Sequence, residues 1–498
     1  MNVNPITRLD YPDPDVIRVE DTYYMVSTTM HFMPGCEILQ SFDLVHWEHV
    51  TYVYETLDHT DAQQLKSGQN IYGQGMWAAS LRYHEGRFYI CFVANDTRKT
   101  YLYTSEKIDG PWKKQLIEGF YHDGSLLFDE DGRSYIVYGN DEIWITELNE
   151  DLTAPKKDGL HRLLVSDHKN PELGYEGSHI QKINGYYYIF LVHSLRDRWM
   201  RTEACFYSDS LEGEFTGGDV LCDDRGYCGQ GVAQGGIVDT PDGKWYAMLF
   251  QDSGAVGRIP ILLPVTWKDH FPIFGQNGHV PEEIEVHSTR PGYIYQPLVG
   301  SDDFCNGLLP RWQFNHDPDP RYYHLDALQG IYTITTREVC TELTQAVNTL
   351  TQRMSYPSCA AEVTVDASAL KEGDVAGLCA LQSCYAAVGI TKHHGKYEVL
   401  MLDKKEDGIL DMTEGTVVES HQMDFRLEAD FCNMKDEARC YYRVNKGDWL
   451  PIGTVHKLYF KLDHFTGCRF GLFCYAAEET GGSACFRDFK YYDVDEIS

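Results

Sequence analysis

Asp13, Asp123 and Glu176 stand at matched places in a recurring pattern. Carboxylates brought to one point can divide proton work between them, one staying ionised to accept a proton while another is kept protonated to donate one. Their spacing singles them out. A turn followed by an aromatic run recurs as Glu20-Asp21-Thr22-Tyr23-Tyr24, Glu85-Gly86-Arg87-Phe88-Tyr89, Asp131-Gly132-Arg133-Ser134-Tyr135, Asn184-Gly185-Tyr186-Tyr187-Tyr188 and Asp242-Gly243-Lys244-Trp245-Tyr246. About ten residues before each recurring Tyr lie Asp13-Pro14-Asp15, Ala78-Ala79-Ser80, Asp123-Gly124-Ser125, Glu176-Gly177-Ser178 and Gln234-Gly235-Gly236. Acids point to a single axis from three of the five repeats. Like charges crowded together cost stability, so a catalytic site is the natural reason to keep them.

The elements that must position them are strands. The stretch 172–190 reads as a hairpin through Asn184-Gly185, because both turn positions tolerate positive φ. Copies follow one another at roughly 45 to 65 residues, a period expected of propeller blades, whose innermost strands line a central channel. Residues 1–296 are therefore expected to form a five-bladed β-propeller, closed by the segment from Asp269 to Pro281. Texture changes near Pro291 to Asp303. Beyond it, alternating segments such as Ala360–Val365, Tyr385–Thr391, Tyr397–Leu402, Leu458–Leu462 and Phe470–Phe473 predict a β-sandwich over 302–498. The fold class is all-β throughout.

Composition narrows the partners. The 498 residues carry 43 Lys+Arg against 75 Asp+Glu, a formal net charge of -32; such a surface repels nucleic acid and anionic membranes but not a neutral sugar. No apolar stretch approaches the roughly 20 residues of a membrane span, and no basic-then-apolar leader opens the sequence, so a cytoplasmic location is expected. The 15 cysteines show no C-x-x-C pairing and are read as reduced, mostly buried thiols rather than a metal or redox site.

At this point a family resemblance emerges. Asp10-Tyr11-Pro12-Asp13-Pro14-Asp15-Val16-Ile17-Arg18, Ser41-Phe42-Asp43-Leu44-Val45-His46-Trp47, Trp77-Ala78, Asp123-Gly124-Ser125-Leu126-Leu127-Phe128, Tyr175-Glu176-Gly177-Ser178-His179-Ile180, and the run from Gly235 to Pro260 together resemble glycoside hydrolase family 43, in the β-xylosidase and α-L-arabinofuranosidase branch. The resemblance implies a five-bladed propeller with a concanavalin-like sandwich that hydrolyses glycosidic bonds with inversion. By motif, Asp13 would be the general base, Glu176 the general acid, and Asp123 the residue that orients the acid and raises its proton affinity. Arg258 matches an arginine that hydrogen-bonds the sugar, with an ion pair to a channel acid as the other reading. Trp77 is expected as an apolar wall or as core filler, His31 and Phe32 at the pocket border or in packing, and His179 as a core histidine. Where many members carry a histidine near a calcium, this chain has Gln234, expected to contact substrate or machinery instead; no cofactor is required, and a structural calcium stays open. Met30 replaces a common Phe. The resemblance implies xylo- or arabino-oligosaccharide substrates, exo-acting β-xylosidase first and α-L-arabinofuranosidase second or together, and homo-oligomers are common in the branch. A non-catalytic sugar-binding propeller is the alternative class; it would not require three acids at matched positions.

Overall fold

The computed structural model describes residues 2–493. Five four-stranded antiparallel sheets follow one another along the chain, each strand paired with the next. Their innermost strands are Asp15–Val19, Ser80–His84, Ser125–Phe128, Glu176–Ile183 and Ala233–Asp239, and each touches the next around a closed ring. The recurring aromatic runs form the second strand of each blade. Their buried rings fill the seams: Tyr135 packs with Ile180 and Ile189 between the third and fourth blades, Tyr188 with Ile237 between the fourth and fifth, and Tyr246 with Tyr23 and Val16 where the ring meets its start. Aromatic area buried on both sides of a blade is what holds a radial repeat together. The ring is fastened at that last seam. Asn2–Val3 pairs with Glu283–Ile284, and the buried Asn4 amide donates to the Leu262 and Pro281 carbonyls at 2.7 and 3.0 Å.

The C-terminal half packs a nine-stranded sheet on a seven-stranded one. Alternating small and branched residues such as Cys359, Ala361, Val363 and Val365 share one core with Phe425, Phe470 and Leu472. Two propeller segments enter this half. Phe32–Met33 joins the end of the nine-stranded sheet against Phe314 and Asn315, and Ala255, Val256 and Ile259 belong to the sandwich core. Helix is confined, among the described residues, to three short 3-10 turns, and no helix is long and apolar enough to cross a membrane. All 15 cysteines are free.

One expected strand is absent. Leu458–Leu462 alternates like a strand, but the strand ends at Lys457 and the chain leaves the sheet. Leu458 is drawn into the sandwich core, its N–H bonded to the Asp436 carbonyl at 2.8 Å. The following residues then turn toward the propeller, where Phe465 meets Trp77 and Leu462 lines the same cavity.

Candidate active site

Each of the three acids sits at the start of an innermost strand, where the backbone is irregular. Asp13 and Asp123 have φ of 52° and 47°, in the left-handed region that ordinary residues avoid. The fourth blade reaches the same geometry by a bulge: register shifts between Glu176 and His179, with Gly177 at φ 64°. A Cβ on Gly177 would lie 2.7 Å from the Gln234 Cγ. Gln234, φ 62°, sits in the matching bulge of the fifth blade. Bulges and left-handed residues re-aim side chains out of the ladder, and the strain persists only where surrounding bonds hold it.

Those bonds are present. Asp13 receives the Arg258 Nη1 at 2.6 Å and the Thr28 hydroxyl at 2.6 Å. Asp123 accepts the Gly177 N–H at 3.0 Å, tying the third blade to the fourth. Glu176 Oε2 receives the Asn140 amide at 2.7 Å and lies 3.3 Å from His122 Nε2; the same nitrogen is 3.6 Å from Asp123. The Gln234 N–H donates to Glu203 at 2.7 Å, a buried carboxyl that desolvation pushes well above its ordinary range. Beneath lies a second tier: Asp252 pairs with Arg258 at 3.2 Å and with Arg201.

The side chains of Asp13, Trp77, His122, Asp123, Leu173, Glu176, Trp199, Arg201, Gln234 and Arg258, with Leu462 and Phe465 from the sandwich, enclose a cavity of about 190 Å³. Phe465 stands 5.3 Å from Trp77, edge to face, and 3.9 Å from the Arg258 guanidinium. Its loop is anchored by Asp10, whose carboxylate receives the N–H of Arg258 at 2.8 Å and of Gly467 at 2.7 Å.

Six of the eight expected residues line this cavity: Asp13, Asp123, Glu176, Trp77, Gln234 and Arg258. Arg258 makes the ion pair with Asp13 and also lines the cavity. His31 and Phe32 are not in this lining. His31 is buried at the seam of the two halves, its ring 4.8 Å from His316 and 5.3 Å from His464, and Phe32 lies under the Arg469 guanidinium at 3.5 Å. The reason is that this segment pairs with the sandwich, Phe32–Met33 as a strand and His31 through its carbonyl, which accepts the His316 N–H at 3.2 Å. His179 is a core histidine, bonded to Asp15 at 3.1 Å. Trp199, Arg201, Leu173, His122, Leu462 and Phe465 were not foreseen. Only His122, next to Asp123, stood beside a repeat position.

The electrostatics correct one expectation. Asp123 was expected to lift the Glu176 proton affinity. Burial does push Glu176 up, but contact with the His122 cation prevails and holds it below the usual carboxylate range. Burial opposes the imidazolium too, yet Asp123 and Glu176 raise His122 to about 9. Burial raises Asp123 itself to about 6, against the pull of His122. Arg201 is lowered by burial to about 9. Nitrogen and oxygens of His122, Asp123 and Glu176 lie within 4.8 Å of one another, but His122 Nε2 is spent on the two carboxylates, so the group is an ion-pair cluster rather than a set of ligands facing a common point. On the fifth blade Gln234 offers an amide where an imidazole-held calcium would need a ring nitrogen, so the residues do not fit that arrangement.

Known families match both halves of the chain. The beta xylosidase C-terminal concanavalin A-like domain matches residues 301–492. A solved structure of a bifunctional GH43-CE protein of Bacteroides eggerthii is 42% identical, with TM-score 0.92 over 99% of this chain, which spans 64% of that one. A second solved structure, of a GH43 glycoside hydrolase engineered to display both endo-xylanase and exo-arabinofuranosidase activity, is 27% identical with TM-score 0.88 over 99% of both chains. A beta-xylosidase of Formosa agariphila is 27% identical over 99% of this chain and 89% of its own. Residues 3–272 match the glycosyl hydrolases family 43, and with the acids of three blades meeting in one cavity the chain belongs to that family, as a glycoside hydrolase.

Proposed function

We propose that the chain is an inverting, exo-acting β-xylosidase, releasing terminal xylose from β-1,4-xylo-oligosaccharides, with α-L-arabinofuranosidase activity second or simultaneous. One observation carries this reading: Asp13 and Glu176, from the first and fourth blades, face a cavity of about 190 Å³ whose far wall is Leu462 and Phe465. Space for little more than one sugar ring, closed on one side, favours cleavage at a chain end. In this reading Asp13, paired with Arg258 at 2.6 Å, takes a proton from water as its oxygen attacks the anomeric carbon; Glu176 gives a proton to the departing oxygen. Inverting enzymes keep these two groups roughly 6.5–9.5 Å apart so that water fits between, and acids on different blades can supply such a gap without a loop having to deliver it. Asp123 orients the Glu176 segment through the Gly177 N–H. Arg201 and Arg258 balance the buried negative charge, and Trp77 and Phe465 present apolar faces to the pyranose. No step needs a metal.

The arabinofuranosidase reading rests on the exo-arabinofuranosidase activity of the engineered structural relative and on the similar hydroxyl arrangement of the two sugars around the anomeric carbon. Proton NMR of anomeric signals during hydrolysis of xylobiose and of an arabinosyl oligosaccharide tests both. A β-linked xyloside giving α-xylose first is expected. Retention would overturn the assignment of Asp13 as base, and failure to cleave nitrophenyl β-xyloside and nitrophenyl α-arabinofuranoside would overturn the substrate.

A further inference from the structure

The sandwich holds a second cavity, of about 530 Å³ against about 190 Å³ at the catalytic centre. Both sheets line it. Asp403 lies near the end of the strand Lys396–Lys404 in the nine-stranded sheet, and His456 near the end of Leu450–Lys457 in the seven-stranded one. His456 is 2% exposed, and its Nδ1 bonds Asp403 at 2.7 Å across the two sheets. Its Nε2 is buried and has no hydrogen-bond partner among the described residues. A buried polar atom left unpaired costs stability, which makes Nε2 a ready contact for a bound molecule. Burial holds His456 below its ordinary range against the pull of Asp403, so the neutral ring donates from Nδ1 and offers a lone pair on Nε2.

The lining around it narrows the kind of ligand. Asp436 spends one oxygen on the Ala255 N–H at 3.0 Å, and its other oxygen stands 4.0 Å from Lys457 Nζ. Both lysines of the lining are engaged, Lys405 with Asp411 and Lys457 with the Met434 and Lys435 carbonyls at 3.2 and 2.7 Å. An anion therefore meets no free cation there. A metal ion meets no cage either: among the described residues, three ligating atoms come within 4.8 Å of one another only at His122, Asp123 and Glu176. What the cavity offers is acceptors beside the half-buried rings of Tyr459 and Phe460. A few convergent polar groups against aromatic faces suit an uncharged ring rich in hydroxyls.

We propose that this cavity of the sandwich is a second carbohydrate-binding site, in which a neutral oligosaccharide donates hydroxyls to His456 Nε2, Asp403 and Asp436 and lays a ring face on Tyr459 and Phe460. The site binds without cleaving. The segment that carries Tyr459 and Phe460 goes on to supply Leu462 and Phe465 to the catalytic wall. An oligosaccharide held here is thus kept close to the centre that hydrolyses it, which raises its effective concentration. The assignment needs only the activity of the family, not the choice between xylose and arabinofuranose.

The methyl group of Met434, which lines the cavity, reports its occupancy. In full-length Glu176→Gln protein with isotope-labelled methionine methyls, xylotriose or arabinotriose should shift the Met434 resonance saturably. Val455 stands at the rim, 45% exposed, so Val455→Arg blocks the mouth and spares the bond between His456 and Asp403. His456→Asn keeps a donor near the place of Nδ1 and removes Nε2. Each substitution should weaken the Met434 response about tenfold, the scale of one hydrogen bond in a complex; if His456→Asn folds poorly, Val455→Arg decides alone. A resonance that neither sugar moves, or a shift that Val455→Arg leaves unchanged, would overturn the site. So would saturation by calcium chloride or sodium phosphate with no response to sugar. A wild-type protein that cleaves neither nitrophenyl substrate while Met434 still answers to sugar would sink the proposed substrate and leave this site standing.

Discussion

The two mouths of the propeller channel are made by opposite ends of the same five strands and treat charge in opposite ways. At the far mouth every ion has a partner. Arg18 pairs with Asp239 through Nη2 at 2.5 Å, Lys182 with Asp129 at 2.6 Å, and Arg82 gives its donors to Asp15 at 2.8 Å, the Leu126 carbonyl at 2.8 Å and the Ser125 hydroxyl at 2.7 Å. At the catalytic mouth four carboxylates, Asp13, Asp123, Glu176 and Asp252, face three cations, Arg201, Arg258 and His122, and the backbone runs through left-handed residues. One end is regular and neutralised; the other is irregular and charged in excess. The same strand thus supports fold at one end and proton chemistry at the other, and strain is spent only where side chains must be re-aimed.

Substitutions should separate the two ends. Glu176→Gln and Asp13→Asn should each lower kcat/KM on xylobiose by about a thousandfold or more, with thermal unfolding unchanged or raised because crowded charge is relieved; an unfolding temperature that falls with activity would erase the contrast. Arg82→Ala, at the other end, should cost about 3 kcal/mol by stranding the buried Asp15, seen in denaturant unfolding, while folded protein keeps its kcat. Gly177→Ala joins the two effects, since a Cβ meets Gln234 at φ 64°: about 1–3 kcal/mol of stability and a lower kcat, read from unfolding and steady-state kinetics. Phe465→Ala should raise KM about tenfold, the worth of one apolar contact in a pocket, leaving kcat nearly intact.

pH sharpens the comparison through the same ends. Asp15 is held down to about 2, where burial is outweighed by Arg82 and His179, so its stabilisation is complete above the unfolded value near 3.8 and is lost as pH falls through 2. Asp123, raised to about 6 by burial, works the other way: the folded state holds a proton that the unfolded chain releases, so stability declines as pH rises from about 4 to 6. Unfolding temperature measured against pH should flatten between 4 and 6 in Asp123→Asn, and lose its low-pH fall in Asp15→Asn. The smallest effect should be Arg18→Ala, whose half-exposed pair is worth under about 1 kcal/mol.

The propeller and its acids were legible because they repeat. Aromatic runs mark the second strand of each blade, and a fixed step back from them reaches the channel. What does not repeat was hidden. Trp199 and Arg201 come from the end of a hairpin on the fourth blade, and Leu173 from the loop entering it, with no counterpart elsewhere in the chain. Phe465 comes from the other half, and the alternation of Leu458–Leu462 mimicked a strand although its apolar residues serve two different surfaces. His31 and Phe32 follow the first blade, yet sandwich pairing decides where they point, a long-range effect that local pattern does not carry. The proton affinity of Glu176 was misjudged for a similar reason: the count of acids was readable, but the cation between them was visible only in three dimensions.

The strand Phe32–Met33, lent by the propeller to the edge of the sandwich sheet, governs how the molecule can be cut. Expressing either half alone would leave a ladder edge bare at Gln313–Asn315 or at Phe32–Met33 and expose Ala255 and Val256, the kind of surface that recruits other chains. Truncation at the linker is therefore a route to aggregates, and engineers who wish to exchange the C-terminal half must transplant this dipeptide together with it.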